Sequence, residues 1–176
     1  DIPLIFMFTL KKNIKFLFTI ILLYSLIDFS IAYSAASSGS SSSSTGGDDK
    51  VSLYKEGKKL VRRAKKLEKK NKIEKANKLY LKAYDKLWKA YKINKKNADI
   101  LNYLGYSLRK TGDFENAEIY YLKGLELKPK HEGINEYLGE LYVETGRIEL
   151  AKERLQVLKG CKCEEYEELK ELIEEN

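Results

Sequence analysis

Between residues 98 and 165 apolar and small residues return with a period of 34. Leu104, Gly105, Leu108, Gly112 and Ala117 recur as Leu138, Gly139, Tyr142, Gly146 and Ala151. The flanks follow, Tyr103-Leu104-Gly105 becoming Tyr137-Leu138-Gly139 and Thr111-Gly112 becoming Thr145-Gly146. Self-similarity at roughly 20–50 residues marks stacked units, each burying its apolar face on the next. Each recurring residue has a packing reason. Glycine inside a helix costs up to about 1 kcal/mol relative to alanine, so Gly105 and Gly139 point to a partner helix at close range. Gly112 and Gly146 fall where a helix closes in a left-handed conformation. Ala117 and Ala151 give the small surface on which a second helix crosses the first, and Pro129 ends that second helix.

The same rhythm reaches upstream in weaker form. Asn71-Lys72-Ile73-Glu74-Lys75-Ala76 echoes Gly112-Asp113-Phe114-Glu115-Asn116-Ala117 at a spacing of 41, and Tyr80 and Ala83 then match Tyr121 and Gly124. This predicts a helix from Ser52 to Lys70 with Leu60, Ala64 and Leu67 inward. A second helix would run through Trp88 and Ile93, about two turns longer than its counterpart. A plain 34-residue phase, placing Ala83, Leu87 and Ala90 on the repeat positions, is the alternative. Glu164 to Glu175 is amphipathic, with Tyr166, Leu169, Leu172 and Ile173 on one side. It reads as a closing helix, because the last unit of a stack has no neighbour to cover it.

These units resemble the tetratricopeptide-repeat (TPR) family. The unit 98–131 has Leu101, Leu104, Gly105 and Leu108 at the family's fourth, seventh, eighth and eleventh places. Ala117, Tyr121, Gly124 and Pro129 fill the twentieth, twenty-fourth, twenty-seventh and thirty-second. The unit 132–165 has Asn135, Leu138, Gly139, Tyr142, Ala151, Leu155, Leu158 and Cys163 at the same places, where Asn135 and Cys163 depart from the usual apolar residue and proline. The resemblance implies an all-α, right-handed superhelix of three helix-turn-helix units with a capping helix. The ending Cys161-Lys162-Cys163-Glu164-Glu165-Tyr166 looks like the tails of small secreted bacterial members with paired cysteines.

The N-terminus reads as an address. Lys11, Lys12 and Lys15 precede an apolar stretch from Phe16 to Ile27, and Ala32, Ser34, Ala35 and Ala36 follow, the order of a secretory signal peptide. This 12-residue stretch falls short of the roughly 17–25 residues that span a bilayer. Met7 as the start puts the lysines where such a peptide wants them, leaving residues 1–6 upstream. Ser37 to Gly47 is nearly all Ser, Gly and Thr, too polar to offset its ordering entropy, hence a flexible tether. The expected organisation is a signal peptide over 1–36, a linker over 37–50, an extended repeat-like hairpin over 51–97, repeats over 98–131 and 132–163, and a cap over 164–176. The expected compartment is outside the cytoplasm, in the periplasm.

Charge is polarised along this order: residues 50–97 carry a net +15, residues 98–131 none, and residues 132–176 a net −7. A solenoid turns that into polarity along its length. Catalysis finds little support. No Ser-His-Asp order, phosphate-binding glycine loop or HExxH sequence occurs, and the single histidine, His131, reads as a solvated turn residue. The expectation is a non-enzyme without cofactor or metal. Cys161 and Cys163, in an oxidising compartment, suit a structural disulfide; free or intermolecular thiols, or redox or metal duty, stay open.

The resemblance also places a groove along the first helix of each unit. It implies Asp99, Asn102, Tyr106, Arg109 and Lys110 from the middle unit and Gly133, Glu136, Glu140, Val143 and Glu144 from the last. The upstream unit would add Lys58, Val61, Lys65, Glu68 and Lys69. Tyr106, Arg109 and Tyr142 would supply contact area, with Tyr142 inclined to the core. Glu136, Glu140 and Glu144, four apart on one face, would form an acidic row suited to a basic peptide or helix. Glu136 and Glu140 do not match the Lys/Arg/Asn clamp by which some family members hold chaperone tails. The partner expected is a protein or peptide and no nucleic acid, with membrane contact only through an uncleaved signal segment. The rival readings are an envelope binder of anionic polymer or lipid through the lysine-rich face, and a thiol-active or metal-handling protein using the cysteine pair.

Overall fold

The computed structural model describes residues 48–176, which form seven helices and, among those residues, no strand. They are α1 Asp48–Glu68, α2 Ile73–Ile93, α3 Ala98–Lys110, α4 Phe114–Leu127, α5 Glu132–Glu144, α6 Ile148–Leu158 and α7 Glu164–Glu174. The segment read as a signal peptide and the Ser/Gly stretch up to Gly47 lie outside the described residues. Successive helices pair as hairpins, α1 with α2, α3 with α4 and α5 with α6, and α7 packs on α5 and α6. The described residues form an all-α helical repeat. α1 begins at Asp48, inside the segment read as linker. Among the described residues no helix is long and apolar enough to cross a membrane.

One turn is used three times. Asn71, Gly112 and Gly146 have φ of 55°, 88° and 73°. The residue after each donates its N–H back into the preceding helix: Lys72 to Leu67 at 2.9 Å, Asp113 to Leu108 at 3.0 Å and Arg147 to Tyr142 at 2.7 Å. Such a bond satisfies a carbonyl the helix end would leave unpaired. Asparagine enters the left-handed region more readily than other side-chain-bearing residues, which is how the upstream unit makes this turn without glycine. Leu67 and Leu108 stand 41 apart, so the observed turns follow the longer spacing. Three helices, α3, α4 and α5, are capped by side chains: Asn97 accepts from Ile100 N–H at 3.1 Å, Asp113 from Asn116 N–H at 3.3 Å, and His131 Nδ1 from Ile134 N–H at 3.2 Å.

The core runs between the hairpins. α2 buries Ala76, Tyr80, Ala83, Leu87 and Ala90, spaced alternately by four and three, a single helical stripe. They pack with Val61 and Ala64 of α1 and Ile100 and Leu104 of α3. Burying a leucine of this kind contributes about 1.5–3 kcal/mol. Val61 takes the central place in α1, while Leu60 and Leu67, expected inward, are half-buried beside it. A second cluster joins Ala117, Tyr121 and Leu125 of α4 to Ile134, Leu138 and Leu141 of α5 and Ala151 of α6. The mid-helix glycines are contact points. A Cβ on Gly105 would lie 2.6 Å from the Tyr121 ring, and one on Gly139 would lie 2.5 Å from the Leu169 side chain of α7. Between α6 and α7, Cys161 and Cys163 form a disulfide across Lys162, whose φ is 52°.

Candidate functional site: a polar groove along α1, α3 and α5

The first helices of the three hairpins share one recess of about 290 Å³. Tyr54 and Lys58 line it from α1, Asp99, Asn102 and Tyr103 from α3, Gly133 and Tyr137 from α5, and Glu165 from α7. Asn102 stands in its wall, 6% exposed, and its Oδ1 has no hydrogen-bond donor. An unpaired buried amide oxygen costs about 1–3 kcal/mol. Gly133 gives Asn102 its room, since a Cβ there would lie 3.0 Å from Asn102 Nδ2. His131 closes the recess at the start of α5. Because its Nδ1 accepts the Ile134 N–H, its proton sits on Nε2, which donates to Asp99 Oδ1 at 3.0 Å. His131 is therefore a buried capping residue, not the solvated turn residue that its place in a loop predicts.

The centre of the groove floor is cross-linked and closed. The Tyr106 and Tyr137 rings are 4.7 Å apart. Lys65 Nζ lies 4.9 Å and 5.2 Å from their centroids and donates to Tyr137 Oη at 3.2 Å. Arg109 packs on the same rings and forks to Glu140 and Glu144, the latter at 2.5 Å. Lys110 pairs with Glu68 at 2.5 Å, and Tyr80 donates to the same carboxylate at 2.6 Å. Burial opposes the charge of Glu68, yet Lys110 and Tyr80 hold it below the usual carboxylate range.

Several predicted groove residues are thereby reassigned. Tyr106, Arg109, Tyr142, Val143 and Val61 are all less than a tenth exposed and offer no contact area. Tyr142 donates to Glu118 at 3.1 Å and belongs to the core between units. Glu140 and Glu144 are occupied by Arg109, so the three glutamates do not form a free acidic row. Asn102, Lys58, Lys65 and Gly133 keep their places on the groove.

Glu136 opens on a second recess of about 160 Å³, lined by Lys65, Tyr137, Glu164, Glu165 and Glu168. It adjoins the first through Tyr137 and Glu165, which line both. Glu136 is 3% exposed. Burial, a hydrogen bond with Glu168 and the charges of Glu140, Glu168 and Glu165 push its pKa up to about 9. At neutral pH it carries a proton, and the negative charge of this end resides on α7. The acidic wall at this end is thus Glu164, Glu165 and Glu168. Only the amphipathicity of α7 was legible, not the direction of its acidic side. Tyr54, Tyr103, Tyr137 and Lys128 were also not singled out as lining residues; the recurrence of Tyr103 as Tyr137 at the 34-residue period was the available signal. The cysteines are joined to each other, so neither offers a thiolate.

Residues 98–131 match the family model described as tetratricopeptide repeat. No curated protein matches the chain. Among solved structures, the chain is similar to the Arabidopsis OM64 TPR domain, at 14% identity and a TM-score of 0.48, over 70% of this chain and 98% of that one. The Yersinia enterocolitica type III secretion translocator chaperone SycD aligns at 17% identity and a TM-score of 0.49, over 73% and 88%. The second TPR domain of human RPAP3, determined in complex with an HSP70 peptide, aligns at 16% and 0.49, over 72% and 99%.

Proposed function

We propose that this chain, which carries a tetratricopeptide repeat at residues 98–131, is an exported, non-catalytic binding protein that holds an extended segment of another protein along α1, α3 and α5. One observation carries this reading: the Asn102 carboxamide stands in the groove wall with its amide nitrogen beside Gly133. Its oxygen lies too deep for a ligand to reach, but a peptide backbone offers a carbonyl for the amide nitrogen. Such a bond holds an extended chain without reading its side chains.

Side-chain preference then comes from the ends. Lys58 and Lys128 border the first recess, and Glu164, Glu165 and Glu168 border the second. A segment with an acidic residue toward α1 and a basic residue toward α7 fits this polarity, and the gradient sets its direction. Tyr54, Tyr103 and Tyr137 supply aromatic contact at low cost in side-chain entropy. Export is supported by the charged, apolar and small-residue order of residues 11–36, and the periplasm is the compartment in which we place the protein.

Peptides selected on the full-length protein from a random library test the reading. Asn102→Ala is expected to weaken the selected peptides about 10-fold or more, and Lys58→Ala and Glu165→Ala to change which charged ends are selected. Peptides that bind Asn102→Ala as tightly as the wild type would remove the groove from the proposal.

A further inference from the structure

A second surface lies on the other side of the hairpins and shares no residue with the groove. α2 turns Leu81 and Trp88, seven residues apart and so on one face, toward water at 54% and 37% exposure. Trp88 stacks on Tyr91 at 5.5 Å, and Tyr120 of α4 meets both rings at 6.5 and 6.3 Å. Tyr84 joins through its hydroxyl, 3.4 Å from that of Tyr120. The only tryptophan of the chain is thus held in an ordered aromatic cluster at the surface rather than in the core.

The surroundings of this cluster are cationic. On the flank of α2 toward α1 runs a recess of about 440 Å³ with Leu60 at its base. Lys59, Arg63, Lys82 and Lys89 border it, and among the described ion pairs only Lys86, with Glu56 at 2.7 Å, finds a carboxylate there. Lys78 and Lys92 stand exposed on the outward side of α2. Interfacial tryptophan and tyrosine rings sit at the boundary between lipid and water, lysine stems lie along apolar surface while their ammonium groups reach out, and basic residues are drawn to anionic lipids.

We infer that the α1–α2 hairpin, with Tyr120 of α4, docks on an anionic lipid bilayer through its aromatic cluster and surrounding lysines. Charge complementarity selects this occupant, since residues 50–97 carry a net +15. The net −7 of residues 132–176 keeps the α7 end off the same surface, leaving the groove open to a peptide. A soluble polyanion would satisfy the lysines but gives no reason for the exposed Leu81 and Trp88. The inference does not depend on peptide binding.

Trp88 reports its own contact, which separates docking of this face from attachment by the apolar N-terminal segment. Full-length protein is mixed with vesicles of phosphatidylcholine alone, or with about a third phosphatidylglycerol, both carrying acyl-brominated lipid. The expected result is a blue shift and bromine quenching of Trp88 with the anionic vesicles only, reversed by high salt. Lys82→Glu with Lys89→Glu should weaken this partition by about tenfold or more. The salt reversal on the wild type decides the matter if that variant does not fold. Trp88 emission unchanged by anionic vesicles, or changed equally by zwitterionic ones, overturns the inference. So does the same shift on adding polyphosphate without lipid, which would make the partner a polyanion.

Discussion

Arg109 Nη1 donates to Glu144 Oε1 at 2.5 Å across the boundary between two successive repeats. The same guanidinium reaches Glu140, and its side chain is 1% exposed. A buried arginine that loses its partners, or carboxylates that lose their arginine, leave charge without compensation.

Arg109→Ala should therefore destabilise the protein by about 2–4 kcal/mol, somewhat below a fully buried pair because Glu140 and Glu144 keep some water. Arg109→Lys should recover little of it, since an ammonium cannot fork to two carboxylates in a plane. Glu144→Gln alone should cost less than about 1 kcal/mol, given its half-open position. Urea midpoints of the three variants check the order; equal, small losses would mean that this junction is held by its tyrosines alone.

The pH dependence follows from Glu136. Its folded pKa, about 9, lies above the ordinary carboxyl value, so between roughly pH 4.5 and 9 the folded chain binds a proton that the unfolded chain has released. Stability therefore falls as pH rises through that window. The groups facing Glu136 are Glu140 on its own helix, Glu164, Glu165 and Glu168 from α7, and Lys65 from α1. Glu136→Gln keeps the shape of the protonated acid and should melt several degrees above the wild type at pH 8.5, with little difference at pH 4.5. Parallel melting curves with a constant offset between the two proteins would contradict the assignment.

What the sequence disclosed of this site and what it hid have different physical origins. Gly112, Gly146, Ala117 and Ala151 answer local demands, a left-handed turn and a close crossing, which leave a trace wherever the turn recurs. Asn71 shows that even a substituted turn keeps it. Tyr106, Arg109 and Glu136 sit at positions that face a groove in one helix considered alone. Their burial depends on α1 and α7, distant in sequence, and on pairs such as Arg109 with Glu144 that no local spacing announces. Asn102 was legible as a groove residue from its place in the repeat; that its oxygen lacks a donor required the packed neighbours.

The Cys161–Cys163 disulfide closes a very short loop around Lys162. Loop-closure entropy for so few residues amounts to no more than about 1–2 kcal/mol. Cys161→Ser with Cys163→Ser is expected to lower the melting temperature by a few degrees while leaving the helical circular dichroism and peptide binding intact. Loss of the folded state in the double variant would assign the pair a far larger part in holding α7.

Leu169 of α7 rests where a Cβ on Gly139 would stand, 2.5 Å from its side chain, and it is fully buried. Gly139→Ala gains helix propensity but forces Leu169 out of its seat, and overpacking of this kind costs about 1–3 kcal/mol. Because α7 carries Glu164, Glu165 and Glu168, the same shift should loosen the acidic end of the groove and weaken peptides whose basic residue points there. Shortening the intruding side chain makes room, so Gly139→Ala with Leu169→Ala should lose less stability than the sum of the two single variants. Additive losses would mean that α7 accommodates the methyl group by moving as a whole, and peptide affinity would then fall equally in the single and double variants.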